Sequence, residues 1–142
     1  MLPKTHAILG AVFSVLIYFI FHVSLFNVSL IFLASVLIDF DHYVFYIQKK
    51  NDFSLKNSYN FLKKESQKKH KPMLHIFHTL EFMILIIILS FIWQGFLFVF
   101  IGMIFHSAFD IGDFIYHKKY TAREHFLIRY LILKQKYPDK YY

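Results

Sequence analysis

Asp39, Asp41 and His42 lie inside a run of apolar residues that extends from Val28 to Ile47. Charge is expensive in such surroundings, so two carboxylates and an imidazole placed there need partners. Three further stretches set ligand-type side chains among apolar neighbours: Thr5-His6, His75 to Glu81, and His106 to Asp110. Residues three or four apart share a helix face, which joins Asp39 to His42, His75 to His78, His78 to Glu81 and His106 to Asp110, with Asp113 continuing that last face one turn further. On a helix Asp41 points substantially away from the Asp39 and His42 face, and its role stays open between direct ligation, support of a ligand, capping and facing the headgroups.

The chain has no cysteine, so any metal must be held by His, Asp and Glu. The candidate metal ligands are His6, Asp39, Asp41, His42, His78, Glu81, His106 and Asp110, with His75 and Asp113 as further candidates. Asp41 and Glu81 are also the candidate catalytic carboxylates, each either a ligand or a general base. So many groups exceed the needs of one tetrahedral zinc. The set suits one or two divalent ions, zinc first and manganese or iron as alternatives, and a pair would lie about 3.5 to 4 Å apart with bridging carboxylates. Such an ion lowers the pKa of a bound water and polarises a phosphoryl or carbonyl oxygen, which makes phosphoester or lipid-ester hydrolysis the preferred chemistry.

The elements that must position these residues follow from composition. Of the 142 residues 57% are hydrophobic, 21% aromatic and only 18% charged, which places the chain among membrane proteins. Four apolar segments stand out, at about 7–26, 28–47, 75–93 and 96–116. The first is read as a retained helix acting as its own insertion signal, because no small-residue cleavage site follows it. Short connections near Asn27 and at Gln94-Gly95 make two hairpins. The expected fold is therefore all-α: a single polytopic domain over 1–142, with a bundle of four transmembrane helices.

The net charge of +7 resides largely in the stretches outside the apolar segments. That pattern sets membrane orientation rather than nucleic-acid binding, and puts both termini and the basic loop 48–74 on the cytoplasmic side. Within the loop, residues 55–68 read as an amphipathic helix near anionic headgroups, or else as a solvated tether. Residues 121–137 read as an amphipathic helix at the membrane surface that packs or anchors. With this topology, about eleven residues, or roughly 16 Å, separate Val28 from Asp39, and the same count applies to His106. All four polar clusters then fall at one depth near the cytoplasmic face. His22 lies toward the other face, while His70, His117 and His125 read as surface groups.

The motifs resemble those of a family of small membrane-bound metal-dependent hydrolases, also described as LexA-binding, inner-membrane-associated hydrolases. Thr5-His6-Ala7-Ile8-Leu9-Gly10 is similar to that family's Thr-His-x-x-x-Gly, and Asp39-Phe40-Asp41-His42 to its Asp-x-Asp-His. His75 to His78, followed by Thr79 and Glu81, occupies the place of its histidine element, and His106-Ser107-Ala108-Phe109-Asp110 is similar to its His-x-x-x-Asp. The resemblance covers about residues 3 to 113. It implies metal-dependent hydrolysis in the inner membrane, with a more distant similarity to zinc-dependent phospholipase C. LexA binding is not carried over, since no partner motif is present. The expected substrate or partner is membrane lipid. Two other functions use the same residues: a metal-ion or proton transporter, and a non-catalytic adaptor with a structural metal.

Overall fold

A computed structural model describes residues 3–65, 73–117 and 123–138. The expectations for His70, for the end of the basic loop and for residues 121 and 122 lie outside the described residues. Pro3 stands at the first position of α1 (Pro3–Phe21), where a missing N–H is harmless. The helix ends at His22, which takes the left-handed conformation with φ of 52°. Ser24 then caps α2 (Leu25–Leu37), its hydroxyl accepting the Asn27 N–H at 3.3 Å.

Two residues later the chain continues as α3 (Phe40–Lys50), so that Leu25–Lys50 forms one rod of 26 residues with a tightened turn at Ile38-Asp39. There the Asp39 N–H reaches Val36 O at 3.4 Å and the His42 N–H reaches Asp39 O at 3.1 Å, bonds of the narrower 3-10 type. Asn51, left-handed at φ 52°, closes α3. Asp52 accepts from the Ser54 N–H, from Asn57 and from the Tyr46 hydroxyl, and so ties α4 (Leu55–Glu65) to α3.

The third apolar segment departs from expectation. A two-residue strand, β1 (Met73–Leu74), and a 3-10 turn at Ile76–His78 precede α5 (Leu80–Ser90), which has only 11 residues. Thr79 is the reason: its extended backbone (ψ 149°) breaks the turn, and its hydroxyl caps the new helix by accepting the Phe82 N–H at 3.3 Å. At 1.5 Å per residue α5 is about 16 Å long, short of the roughly 30 Å hydrocarbon core. Among the described residues three helices are long and apolar enough to cross a membrane, Lys4–Phe21, Leu25–Lys50 and, in α6 (Gly95–Tyr116), Gly95–Tyr116, so the expected four-span topology is shown only for three of its helices. The tail also differs. It pairs first as β2 (Arg123–Glu124), parallel to β1, and only then forms α7 (Leu127–Lys136).

Small residues set the helix spacing. A Cβ on Gly102 of α6 would collide with the Ile31 carbonyl oxygen of α2, and one on Gly10 of α1 with the Ser35 hydroxyl. Close backbone approach of this kind is how apolar helices pack where no hydrophobic force drives them together. Ile38, Ile86 and Met103 join α2, α5 and α6 in an apolar cluster. The rings of Phe26 and Trp93 lie 6.2 Å apart, so the two hairpin turns share one end of the bundle, as their order predicted.

Burial is inverted relative to a water-soluble domain. His6, Ser14, Ser35, His75, His78, Thr79, His106 and Asp110 are all buried, whereas Ile8, Phe19, Ile20, Leu25, Ile88 and Ile104 are exposed. Apolar surface outside and ionisable groups inside is the arrangement that hydrocarbon surroundings favour.

Candidate metal centre

Three elements deliver four polar side chains to one end of the bundle. Asp39 comes from the tightened turn, where it occupies the N-cap position of α3 but makes no side-chain cap bond. Its carboxylate is therefore not used on the helix. His106 and Asp110 come from one face of α6, and His78 closes the 3-10 turn before Thr79. Their ligand atoms, and those of Asp39, all lie within 4.8 Å of one another. His78 Nε2 is 3.3 Å from His106 Nε2, 3.8 Å from Asp39 Oδ1 and 3.7 Å from Asp110 Oδ2. His106 Nε2 is 3.4 Å from each of those same two oxygens.

These spacings have a simple meaning. A tetrahedral ion with bonds of about 2.0–2.1 Å places its ligand atoms about 3.3–3.4 Å apart. Both imidazoles also turn the right nitrogen inward. His106 donates its Nδ1–H to the Ser35 carbonyl at 2.7 Å, and His78 Nδ1 lies 3.1 Å from Asp41 Oδ2. With Nδ1 committed to an acceptor behind, each Nε2 offers its lone pair to the same point as the carboxylates. Orientation of a ligating histidine by a carbonyl or carboxylate behind it is the usual support of a metal site. The buried His and Asp groups fit a divalent cation, and bring together what three separated stretches of sequence carry.

The Ser35 carbonyl is free for this because of the turn at Ile38-Asp39. An ordinary helix would give it the Asp39 N–H, but that N–H bonds Val36 O instead. The break thus supplies both a ligand, Asp39, and the acceptor that orients another.

A second group lies alongside. Ligand atoms of Asp41, His42 and His75 also fall within 4.8 Å of one another. Asp41 Oδ1 is 3.6 Å from His75 Nδ1, and the rings of His42 and His75 are 3.8 Å apart. His42 Nε2 lies 3.4 Å from Asp39 Oδ1, so Asp39 faces both groups.

The predicted site residues are thus sorted unequally. Asp39, His78, His106 and Asp110 converge. His6 stands behind them, stacked on His106 at 3.9 Å with its Nε2 3.1 Å from Asp110 Oδ1, and so supports the set without belonging to either group of ligands. Asp39 and His42, expected as a pair on one face, do lie together, with Asp39 Oδ1 3.4 Å from His42 Nε2, and the pair joins the two groups, Asp39 in the first and His42 in the second. Asp41, expected to point away, is buried beneath His78 and also accepts the Phe77 N–H at 3.2 Å. His75, a further candidate by sequence, is fully enclosed in the second group.

Two expectations are corrected. Glu81 does not join the cluster: its carboxylate accepts the N–H groups of Leu127 and Ile128 at 3.0 and 3.1 Å and caps α7. The first turn of a helix has N–H groups without internal partners, and a carboxylate within reach satisfies them. Asp113 pairs instead with His117 at 3.4 Å, near the end of α6. Sequence spacing gave no signal for the Ser35 carbonyl or for the α7 cap, since backbone groups carry no residue code.

Comparison of the chain with protein-family models, with curated proteins and with solved structures returned no match.

Proposed function

We propose that this protein is a metal-dependent hydrolase of the cytoplasmic face of the inner membrane, acting on a phosphoester or ester bond of a lipid or membrane-associated substrate. The observation that carries the reading is the convergence of His78 Nε2, His106 Nε2, Asp39 Oδ1 and Asp110 Oδ2, each nitrogen turned inward by an acceptor behind it. When bound, a divalent ion there supplies Lewis acidity toward a phosphoryl or carbonyl oxygen. The chain's own residues do the rest. Asp110 is held by His6, His106 by the Ser35 carbonyl and His78 by Asp41, so the ligands are fixed before substrate arrives. Asp39 and His42, with side chains 14% and 21% exposed, are the open members, and they mark the side from which a substrate reaches the cluster.

The one-sided placement favours this reading over a transporter, because the ionisable groups buried in the bundle lie at one end among the described residues. The motif resemblance to membrane-bound hydrolases points the same way. One observation favours a second reading: four protein ligands saturate a tetrahedral zinc, as in structural sites. An ion of six-coordinate habit, such as manganese, keeps positions open with the same ligands.

The test is metal content together with turnover. Full-length protein purified in detergent should hold divalent metal, lose it in the His106→Ala and Asp39→Ala variants, and hydrolyse members of a lipid and phosphoester panel only when loaded. A protein that holds the ion but turns over nothing in the panel supports the structural-metal reading. One that holds no ion under any loading condition ends both.

A further inference from the structure

Two polar atoms beside the four-ligand group are buried without a hydrogen-bond partner: Asp41 Oδ1 and His75 Nδ1. Their residues are 9% and 2% exposed, so solvent does not satisfy them either. Buried polar atoms in folded proteins are nearly always paired, and an orphan calls for a missing ligand or another specific cause. Here two orphans face each other at 3.6 Å. That is too long for a hydrogen bond, which would draw the atoms to about 2.7–3.2 Å. It is an ordinary separation for two ligands of one cation, whose bonds of about 2.0–2.2 Å put neighbouring donors a little over 3 Å apart.

A third ligand atom, from His42, completes a set within 4.8 Å. We infer that Asp41, His42 and His75 form a second divalent-cation site beside the four-ligand group, with Asp39 placed between the two. The inference deepens the hydrolase reading but stands on its own atoms. Asp41 serves both groups with different oxygens: Oδ2 accepts from behind His78, and Oδ1 faces His75. Asp39 Oδ1 is 3.4 Å from His106 Nε2 of the first group and 3.4 Å from His42 Nε2 of the second. Nitrogen and carboxylate donors of this kind take zinc, manganese or iron(II).

The two sites differ in kind. The first has four protein ligands and is closed to a tetrahedral ion; the second has three, one of them the partly exposed His42. Three protein ligands with a position left open is the pattern of metal sites that do chemistry. The second site therefore offers a substrate oxygen an open position beside the four-ligand group, with Asp39 shared between them.

The experiment is a stoichiometry measurement on full-length protein in detergent, stripped by chelator and reloaded with Mn(II) alone. Wild type should bind about two equivalents, and the paramagnetic resonance spectrum should show coupled ions rather than isolated ones. His75→Ala and His42→Ala should each retain about one equivalent and give the isolated-ion spectrum. His42 is partly exposed, so its variant keeps the measurement usable if the replacement of buried His75 prevents folding. Saturation of wild type at one equivalent overturns the inference. So does a folded His42→Ala variant that still binds two, or one that loses both together. Failure of the hydrolase reading registers elsewhere, as two ions bound with no turnover of the ester panel.

Discussion

Replacing Gly102 by alanine tests whether the packing of α2 on α6 sets the metal geometry. The added Cβ would meet the Ile31 carbonyl oxygen, which is backbone and cannot rotate away, and would stand 3.0 Å from the Ala34 Cβ. The helices must separate. Asp39 and the Ser35 carbonyl belong to one side of this contact and His106 and Asp110 to the other, with Gly102 one turn before His106. Overpacking a close contact costs about 1–3 kcal/mol. Alanine also favours a helix over glycine by about 0.8–1 kcal/mol, which masks part of that cost. Gly112 on the same helix removes the ambiguity, since nothing lies within 4 Å of its notional Cβ. Gly112→Ala carries the propensity gain alone, so the difference between the two variants isolates the packing strain at about 1–3 kcal/mol. If binding the ion requires the helices to close against that strain, affinity falls about 5- to 150-fold in Gly102→Ala. The assay is chelator competition for Mn(II) or Zn(II) on both variants, with thermal unfolding in detergent alongside. Equal affinities for Gly102→Ala, Gly112→Ala and wild type would refute the coupling of packing to site.

Further outcomes follow from the same contacts. Asp41→Asn should weaken the ion at the four-ligand group by about 10- to 100-fold, since a histidine ligand loses the anion behind it; an unchanged affinity in chelator competition would remove Asp41 from that role. Glu81→Ala should raise amide hydrogen exchange at Leu127 and Ile128 and leave metal content untouched, whereas metal loss would return Glu81 to the ligand set. The Tyr46 hydroxyl, aided by Asn57 and the Ser54 N–H, holds the Asp52 carboxyl below its ordinary value of 3.8. A carboxyl lowered by folding adds stability that is complete above its unfolded pKa and is lost as the pH falls through its folded pKa. The start of α4 should therefore keep its exchange protection down through the pH at which a free aspartate protonates and lose it only below. Asp52→Asn should abolish that dependence.

What sequence could reach and what it could not divide along physical lines. The ligand-type residues were legible because hydrocarbon surroundings make every ionisable side chain conspicuous, and Asp39, His78, His106 and Asp110 all stood out this way. The hairpins were legible too, because separated apolar runs had to turn back, but the first turn falls at His22–Ser24 and Asn27, where it was expected, lies inside α2; the Phe26 and Trp93 rings place both turns at one end. Helical spacing then went wrong wherever a helix did not continue. Nothing in Val36-Leu37-Ile38-Asp39-Phe40 signals a tightened turn, for it contains neither glycine nor proline. Yet that turn frees the Ser35 carbonyl, which orients His106. Thr79, read as part of a continuous apolar segment, instead caps α5, and the His125 carbonyl accepts the Leu80 N–H at 2.9 Å, bringing the tail against the start of α5.

Glu81 illustrates the limit most directly. By spacing it shares a face with His78, and by type it suits a metal as well as it suits a helix N-terminus. Which of the two it serves depends on whether α7, forty-six residues further on, presents its unpaired N–H groups there. The sequence by itself determined the membrane-like composition, the donor chemistry and the end of the bundle at which the donors gather, because each follows from residue type, the rise of a helix and the order of the hairpins. Only the tertiary structure decided which donors meet, because ligation depends on backbone phase and on distant backbone partners, and neither is written in any one stretch of the chain.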